Sequence, residues 1–541
     1  MTRDLGALTR EPFDVLVIGG GIYGLAAAYE GALAGLRVAL VERRDFGSGT
    51  SFNHHKTLHG GLRYLQSADL RRMRESIVER RAFARLAPQL ISPLAFVMPA
   101  SARFARSRLA LQAALAADAL IAFDRNAEVP DSHALPVGRV LSREEFLDLV
   151  PEAASLTATG AALWYDYRMD EGDRLTFGFA IAAARQGAVL ANYADALEPL
   201  RDGRRITGMR VRDEATGDSF EVRARLTLNA AGAGAGRVMA SFGVRQPFPL
   251  LKAMNIVTTR PAPPVAIAAP GPEDRLLVAL PWRERLLIGT AHGRELCGPE
   301  DRSVTAAELE SFVRDANAAF PWLHLTAADV SLVHRGVVPA RVQPGRPPAL
   351  LEHGSVRDHR LDGIDGALSV IGVKYTTARA IAERAIAAAG AMLRRRVPKS
   401  LSAELPLLGP LATASETTIR PPRARMSTAE RVSRLYGATA GRVLGMHAGQ
   451  RETEAPIAPG VEVTIAEVLE AVRHEMALTL EDVVIRRTAL GATGYPGDAV
   501  VMACGRILQP ELGWSDERLA DEAAAVRSFY EPALPLGADS R

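Results

Sequence analysis

At 541 residues the chain is long enough for two or three domains, since a single hydrophobic core stops growing near about 250–300 residues. Hydrophobic residues at 48% and charged residues at 23% exclude a disordered or fibrous chain. A net charge of +3, carried by scattered arginines and not by one lysine-rich block, leaves no footprint for nucleic acid. Cys297 and Cys504 stand far apart, which argues against a disulfide framework or a cysteine metal site and fits a reducing compartment. The first residues lack an apolar signal region with a small-residue cleavage site, and no window reaches the roughly 20 apolar residues of a spanning helix. The expectation is a cytoplasmic protein, either free or lying on the inner face of the cell membrane without crossing it.

Phe13–Ile18 reads as a short buried parallel strand. GGGIYG follows, with Gly19, Gly21 and Gly24 in a GxGxxG pattern that encloses Ile22 and Tyr23. LAAAYEGALAG then reads as a helix stopped at Gly35, and a second apolar strand from Arg37 to Val41 ends at Glu42 and Arg43. This is a complete βαβ unit whose acidic residue lies 18 positions past the last glycine, the fingerprint of a dinucleotide site. The first glycine makes the tight turn, the second lets backbone amides approach a pyrophosphate, and the third lets helix and strand pack closely. The helix N-terminus adds partial positive charge, and Glu42 is suited to accept from ribose hydroxyls.

A flavin has to be held at its isoalloxazine end as well, and two later segments suit that task. Leu226 to Gly236, LTLNAAGAGAG, is an apolar strand running into a small-residue turn at Ala231 and Gly232. Ala367 to Arg379, ALSVIGVKYTTAR, is a strand, a turn at Gly372 and a helix start where Thr376 and Thr377 offer hydroxyls. Three strand-to-turn segments converging on one site describe a single discontinuous cofactor domain.

HHKTLHGGLRYL, residues 54–65, is too polar for a core element and too ordered in residue type for a spacer. Its second half carries a resemblance. DVLVIGGGIYGLAAA with Glu42, Thr50 and Ser51, HGGLRYL at 59–65, NAAGAG at 229–234, GVKYTTAR at 372–379 and EMALTLEDVVIRRTALG at 475–491 occur in the same order in the FAD-dependent glycerol-3-phosphate dehydrogenases. The chain resembles this family of DAO-type flavoproteins over nearly its whole length.

The resemblance implies FAD as cofactor and oxidation of sn-glycerol 3-phosphate, or a related polyol phosphate, to dihydroxyacetone phosphate or its analogue. It implies hydride transfer to flavin N5 and electrons leaving to quinone or another acceptor; a homodimer is one assembly open to the chain, whose oligomeric state the sequence does not name. Carried over by position, Arg63 and Tyr64 face the substrate. Lys374 is the active-site lysine that stabilises negative charge on the reduced flavin or on the substrate phosphate. Thr50, Ser51, His59, Gly60, Gly61, Ala231, Gly232, Gly372, Lys374, Tyr375, Thr376 and Thr377 surround the cofactor.

Two positions depart from the family pattern. Asn255 in LLKAMNIV stands where the family has a histidine, and Val338 in GVVP where it has an arginine that binds the substrate phosphate. A charge-assisted hydrogen bond to phosphate contributes about 1.5–3 kcal/mol, so an unreplaced arginine weakens a phosphorylated substrate. Arg335 and Arg341, which flank Val338, are the candidates to restore the charge. Asn255 and Arg335 therefore join Lys374, Arg63 and Tyr64 as catalytic candidates. The departures keep open two alternatives: an oxidase or dehydrogenase of an unphosphorylated hydroxy acid or amine, and a flavin-binding protein without turnover. His54 and His55 stand where the family has small hydroxyl residues. His55 and His59 have the spacing of a helical zinc pair, but Gly60 and Gly61 follow at once and no glutamate lies between them, so no metal is expected. A histidyl bond to the flavin and neutral donors around the cofactor loop are the remaining readings, the second favoured.

Arg103 to Arg125 reads either as a helix resting on an anionic membrane or as an alanine-rich helix packed on the substrate lobe. Residues 200–225 read as an antiparallel meander, and 245–340 alternate apolar strands such as LLVALPW and RLLIGTA with Pro-rich loops. Pro398 to about Arg425 reads as a linker, and helical periodicity runs from Ser427 onwards. The expected architecture is α/β (α+β overall). A Rossmann-like FAD-binding domain with a β-rich substrate lobe fills 1–398, with cofactor parts near 12–75, 160–243 and 335–398 and the lobe near 76–159 and 244–334. A helical C-terminal domain fills 399–541.

Overall fold

FDVLVI, VALV and LTLN are apolar on both faces, the pattern of strands covered by helices above and below. The computed structural model, which describes residues 1–101, 106–246, 248–272, 275–409, 426–445 and 455–533, makes them neighbours. Phe13–Ile18 runs parallel between Val38–Val41 and Ser219–Asn229. Val189–Ala191 and Ala367–Ile371 extend this parallel sheet on either side, and Ser355–Asp358 closes one edge antiparallel. Helices Ile22–Leu33, Gly172–Arg185 and Ala378–Leu393 pack on one face, where alanine-rich surfaces let helix and sheet approach closely. The meander expected at 200–225 is formed by Ala194–Asp202, Arg205–Asp213 and Ser219–Asn229, and the last of these runs on into the parallel sheet.

A second, mostly antiparallel sheet carries ten strands among the described residues. It runs from Arg346–Leu350 and Val330–Gln343 through Leu250–Thr258, Arg285–Leu296, Leu276–Trp282, Ala266–Pro270, Ile91–Ala100 and Gly160–Met169 to Thr57–Leu58. Gly160–Met169 and the strand through residue 335, read from sequence as cofactor-domain segments, belong to this sheet. Gly160–Met169 pairs along its full length with Ile91–Ala100, and Val330–Gln343 pairs with Leu250–Thr258. Apolar runs announce strands, but nothing in such a run says which sheet it will join.

Helices Thr428–Tyr436, Ile465–Glu475, Asp498–Leu512 and Asp516–Tyr530 form the C-terminal part. They bury Val468, Val484, Val501 and Tyr530 together with Phe52, Trp282 and Leu332 of the preceding part. The EDVVIRRT stretch forms a π-helical segment, Asp482–Arg487. There Arg486 and Arg487 donate to the buried Asp45 carboxylate at 2.6–2.8 Å, tying the helical part to the first βαβ unit. The expected linker falls partly on 410–425, outside the described residues.

The segment from Arg103 forms helix Arg108–Ile121, capped by Ser107, while 103–105 lie outside the described residues. Leu111 and Leu115 are buried, but Leu109, Leu120 and Phe123 are 74%, 77% and 78% exposed. Among the described residues no helix is long and apolar enough to cross a membrane.

Candidate functional site

The first turn shows why its glycines are required. Gly19 has φ +108°, and a Cβ on Gly24 would stand 1.8 Å from the Gly19 carbonyl oxygen, so the helix can lie on the turn only without a side chain there. The helix begins at Ile22, three residues before the run read from Leu25, and the Ile22 N–H donates to Ser51 Oγ at 2.9 Å. Glu42 at the end of the second strand accepts from the Gly20 N–H at 2.6 Å and the Arg44 N–H at 2.9 Å. Burial raises its carboxyl pKa, and these two bonds counter part of the rise.

Of the sequence candidates, Gly19, Gly21, Ile22, Tyr23, Glu42, Arg43, Thr50, Ser51, Ala231, Gly232, Gly372, Lys374 and Tyr375 line one open cleft. The three strand-to-turn segments therefore meet. Gly24, His59, Gly60, Gly61, Thr376 and Thr377 do not line the cleft but lie behind or beside it. Gly24 supports the turn from below, the His59 N–H donates to Thr376 Oγ1 at 3.4 Å, and the Gly60 N–H donates to Asp166 Oδ1 at 2.7 Å. These bonds stitch HGGLRYL to the GVKYTTAR turn on one side and to the second sheet on the other. Gly61 has φ +80°, which turns the chain into the short helix that holds Arg63 and Tyr64.

Tyr23 fixes Lys374 through the backbone: its hydroxyl donates to the Lys374 carbonyl at 2.8 Å and accepts from the Lys374 N–H at 3.1 Å. The Lys374 ammonium lies 4.0 Å from the centre of the Tyr64 ring, and the Arg72 guanidinium lies 4.3 Å from the same centre. Burial, and then the positive charge of Arg72, pulls the Lys374 pKa down to about 7, with Arg63 adding to the effect and Glu75 and Asp69 opposing it. Arg63 itself is exposed.

His54 lines the cleft, with its ring 4.5 Å from that of Tyr375, and its Nδ1 accepts from the Lys56 N–H at 3.0 Å. Burial first, and then Lys56, holds this imidazole neutral. His55 is also neutral, its pKa lowered to about 4 by burial, and its Nε2 lies 3.1 Å from the Val278 carbonyl oxygen. His59 is pulled down to about 3, again mainly by burial.

Two catalytic candidates stand elsewhere. Asn255 is buried away from the cleft lining, with its amide nitrogen donating to the Asn53 carbonyl at 3.2 Å and its oxygen accepting from the Thr290 hydroxyl at 2.7 Å. Both ends of the amide are occupied, so it is a structural clamp in this sheet. Arg335 faces the C-terminal part: it donates to the Phe529 carbonyl at 3.0 Å and stacks 5.0 Å over that ring. Arg341 pairs with Glu352 at the surface. Both arginines lie three residues from Val338 in one strand, and an odd offset sends side chains to opposite faces. Val338 does line the cleft and adds no charge to it.

Sequence reasoning also missed a part of the cleft wall. Pro299 and Arg302, from the loop after strand Arg285–Leu296, close over the Glu42 end, where Arg43 pairs with Glu300 at 2.5 Å. No local motif marks this loop, because its contact with residue 43 is purely tertiary.

Comparison with known proteins gives consistent findings. A family model described as FAD dependent oxidoreductase matches residues 14–383, and one described as the C-terminal domain of alpha-glycerophosphate oxidase matches 400–519. A glycerol-3-phosphate dehydrogenase of Synechocystis sp. is 29% identical over 98% of each chain. Another, of Mycobacterium leprae, is 31% identical over 96% of this chain and 88% of its own. Among solved structures, glycerol-3-phosphate dehydrogenase from Bacillus halodurans complexed with FAD shares the fold at a TM-score of 0.75 and 22% identity, covering 99% of this chain and 98% of that one.

Proposed function

This chain belongs to the FAD-dependent oxidoreductases, within the glycerol-3-phosphate dehydrogenase family, and from that premise we propose that it oxidises sn-glycerol 3-phosphate, or a closely related polyol phosphate, to the corresponding ketone. The cleft suits FAD by its chemistry. Gly19 and Gly24 keep the turn free of side chains where a pyrophosphate approaches, and the amide-rich start of helix Ile22–Leu33 offers partial positive charge. Glu42 is the acceptor for a ribose. FAD, when bound, supplies two-electron acceptance at its isoalloxazine ring. The protein's own residues then orient the secondary alcohol and hold the negative charge.

The observation that carries the substrate reading is the unbalanced positive charge at the Lys374 end of the cleft. Lys374 has no ion pair among the described residues, its ammonium lies against Tyr64, and Arg63 stands close enough to depress its pKa. A half-buried cation such as Lys374, without an ion-pair partner, is costly unless a ligand anion completes it. Tyr64, kept as a neutral phenol chiefly by burial, is suited to hydrogen-bond a substrate oxygen. A second reading, oxidation of an unphosphorylated hydroxy acid or amine, draws on Val338, apolar in the cleft wall.

Quinone as acceptor accords with the exposed apolar face of helix Arg108–Ile121, which we read as resting on the inner membrane surface. Division into a discontinuous cofactor and substrate part over 1–398 and a helical part over 399–541 completes the proposal, with the homodimer as assembly. Anaerobic mixing of the purified yellow protein with glycerol 3-phosphate, glycerol, hydroxy acids and amines tests the reaction. Rapid loss of the flavin absorbance with glycerol 3-phosphate alone is expected, and bleaching only by an unphosphorylated compound would reject the phosphate reading.

A further inference from the structure

Val338 leaves strand Val330–Gln343 without a cation at the cleft, and strand alternation turns Arg335 and Arg341 away. Arg43, Arg44, Arg237 and Arg302 line the cleft, with Arg43 and Arg302 at its Glu42 end; beside Lys374 the positive charge comes from Arg63 of HGGLRYL and Arg72 of helix Leu70–Leu86, which adjoin the lining through Lys374 and Tyr64. We infer that Arg72 binds the phosphate of the substrate together with Arg63 and Lys374, so that the dianion is gripped from the Tyr64 side of the cleft and not from the strand. This inference rests on the polyol phosphate reading and adds a specificity-determining residue to it.

Four observations converge on Arg72. Its guanidinium and the Lys374 ammonium lie over one ring, at 4.3 and 4.0 Å from its centre, although like charges repel. Arg72 forms no ion pair among the described residues, and its Nε is buried without a hydrogen-bond partner. The carboxylates beside it are already engaged. Asp69 accepts the Arg72 backbone N–H as the helix cap and lies 3.1 Å from His353 Nε2, and Glu75 pairs with Arg384 at 3.2 Å. Finally, Arg63, one residue before the shared Tyr64 ring, adds a third cation near Lys374.

Two cations against one aromatic ring, with Arg63 as a third nearby and Asp69 and Glu75 engaged by other partners, suit a doubly charged anion. Arginine contributes the planar fork that binds two phosphate oxygens at once, a geometry lysine cannot reproduce. The charge absent at position 338 is thus supplied from helix Leu70–Leu86 and not from the strand.

The experiment uses the holoenzyme with Arg72→Leu and Arg72→Lys, read by flavin content, thermal melting, the KM and kcat for glycerol 3-phosphate, and the Kd of inorganic phosphate from its perturbation of the flavin spectrum. Arg72→Leu is expected to weaken phosphate binding and raise KM by about ten- to a hundredfold, with the loss falling on KM more than on kcat. Arg72→Lys should retain an intermediate affinity. A yellow, folded Arg72→Leu that binds phosphate as tightly as the parent overturns the inference, as does a variant that loses flavin and kcat while phosphate affinity stays intact. Failure of glycerol 3-phosphate to bleach the parent flavin would instead reject the substrate reading, and a weaker phosphate Kd in Arg72→Leu would still support the anion site.

Discussion

Sulfate separates the titration of Lys374 from that of the substrate, because it remains a dianion at neutral pH while a phosphate ester gains a proton there. Burial and the neighbouring Arg72 hold the Lys374 ammonium near 7, so the side chain is mostly charged at about pH 6 and mostly neutral at about pH 8.5. The groups facing it are Arg63, Arg72, Asp69 and Glu75, with the Tyr64 ring between. His59 and His292, lowered to about 3 and about 4 mainly by burial, stay neutral across that window, and burial moves Tyr64 above its usual value. If sulfate binds only the ammonium form, the competent fraction falls from about nine-tenths to about one-thirtieth between these pH values. The Kd should then rise about thirtyfold, or about 2 kcal/mol. The sign is fixed: the charged form exists below the folded-state pKa, so affinity is greatest at low pH and is lost as pH climbs through 7. Titration of the flavin spectrum with sulfate at constant ionic strength measures it. Lys374→Met should flatten the profile, and Arg72→Leu should move its midpoint upward by removing a repelling neighbour. A flat parent profile, or tighter binding as pH rises, would refute the reasoning.

Other consequences follow from contacts already described. Gly24→Ala drives a Cβ into the Gly19 carbonyl, which is backbone and cannot rotate away; the variant should be purified colourless or not at all, and a normal flavin-to-protein ratio would contradict the role of this turn. Asp45→Asn strips two buried arginines of their shared anion; a loss of about 3–5 kcal/mol is expected, seen as a lower melting temperature, and an unchanged melt would show that the C-terminal part is held by its apolar contacts alone. Replacing Leu120 and Phe123 together by Asp should abolish cosedimentation with vesicles of anionic lipid while leaving bleaching by glycerol 3-phosphate intact. Undiminished cosedimentation would remove helix Arg108–Ile121 from the membrane proposal.

What could be read from the sequence divides along a physical line. GxGxxG, the strand before it and Glu42 form a local unit, in which each residue's task is set by neighbours within about thirty positions, and the fold reproduces it to within a few residues. The joining of LTLNAAGAGAG and GVKYTTAR to that unit was legible because strand ends running into small-residue turns share one purpose. Assignment of Gly160–Met169 to a sheet was not legible, nor was the closing of the 299–302 loop over Glu42, since the first depends on full-length pairing with the distant Ile91–Ala100 and the second on a contact with the far end of the first βαβ unit. A replacement for the missing phosphate cation is illegible for a different reason: Arg335 and Arg341, the arginines next to Val338 in the chain, sit at odd offsets in a strand and face away from it. Arg72 lies more than two hundred residues from Val338 and carries no motif; contacts in the fold, the Tyr64 ring shared with Lys374 first among them, identify it. A lost charge in a cleft is replaced from whichever element can reach the ligand, and that element need not be near in the chain.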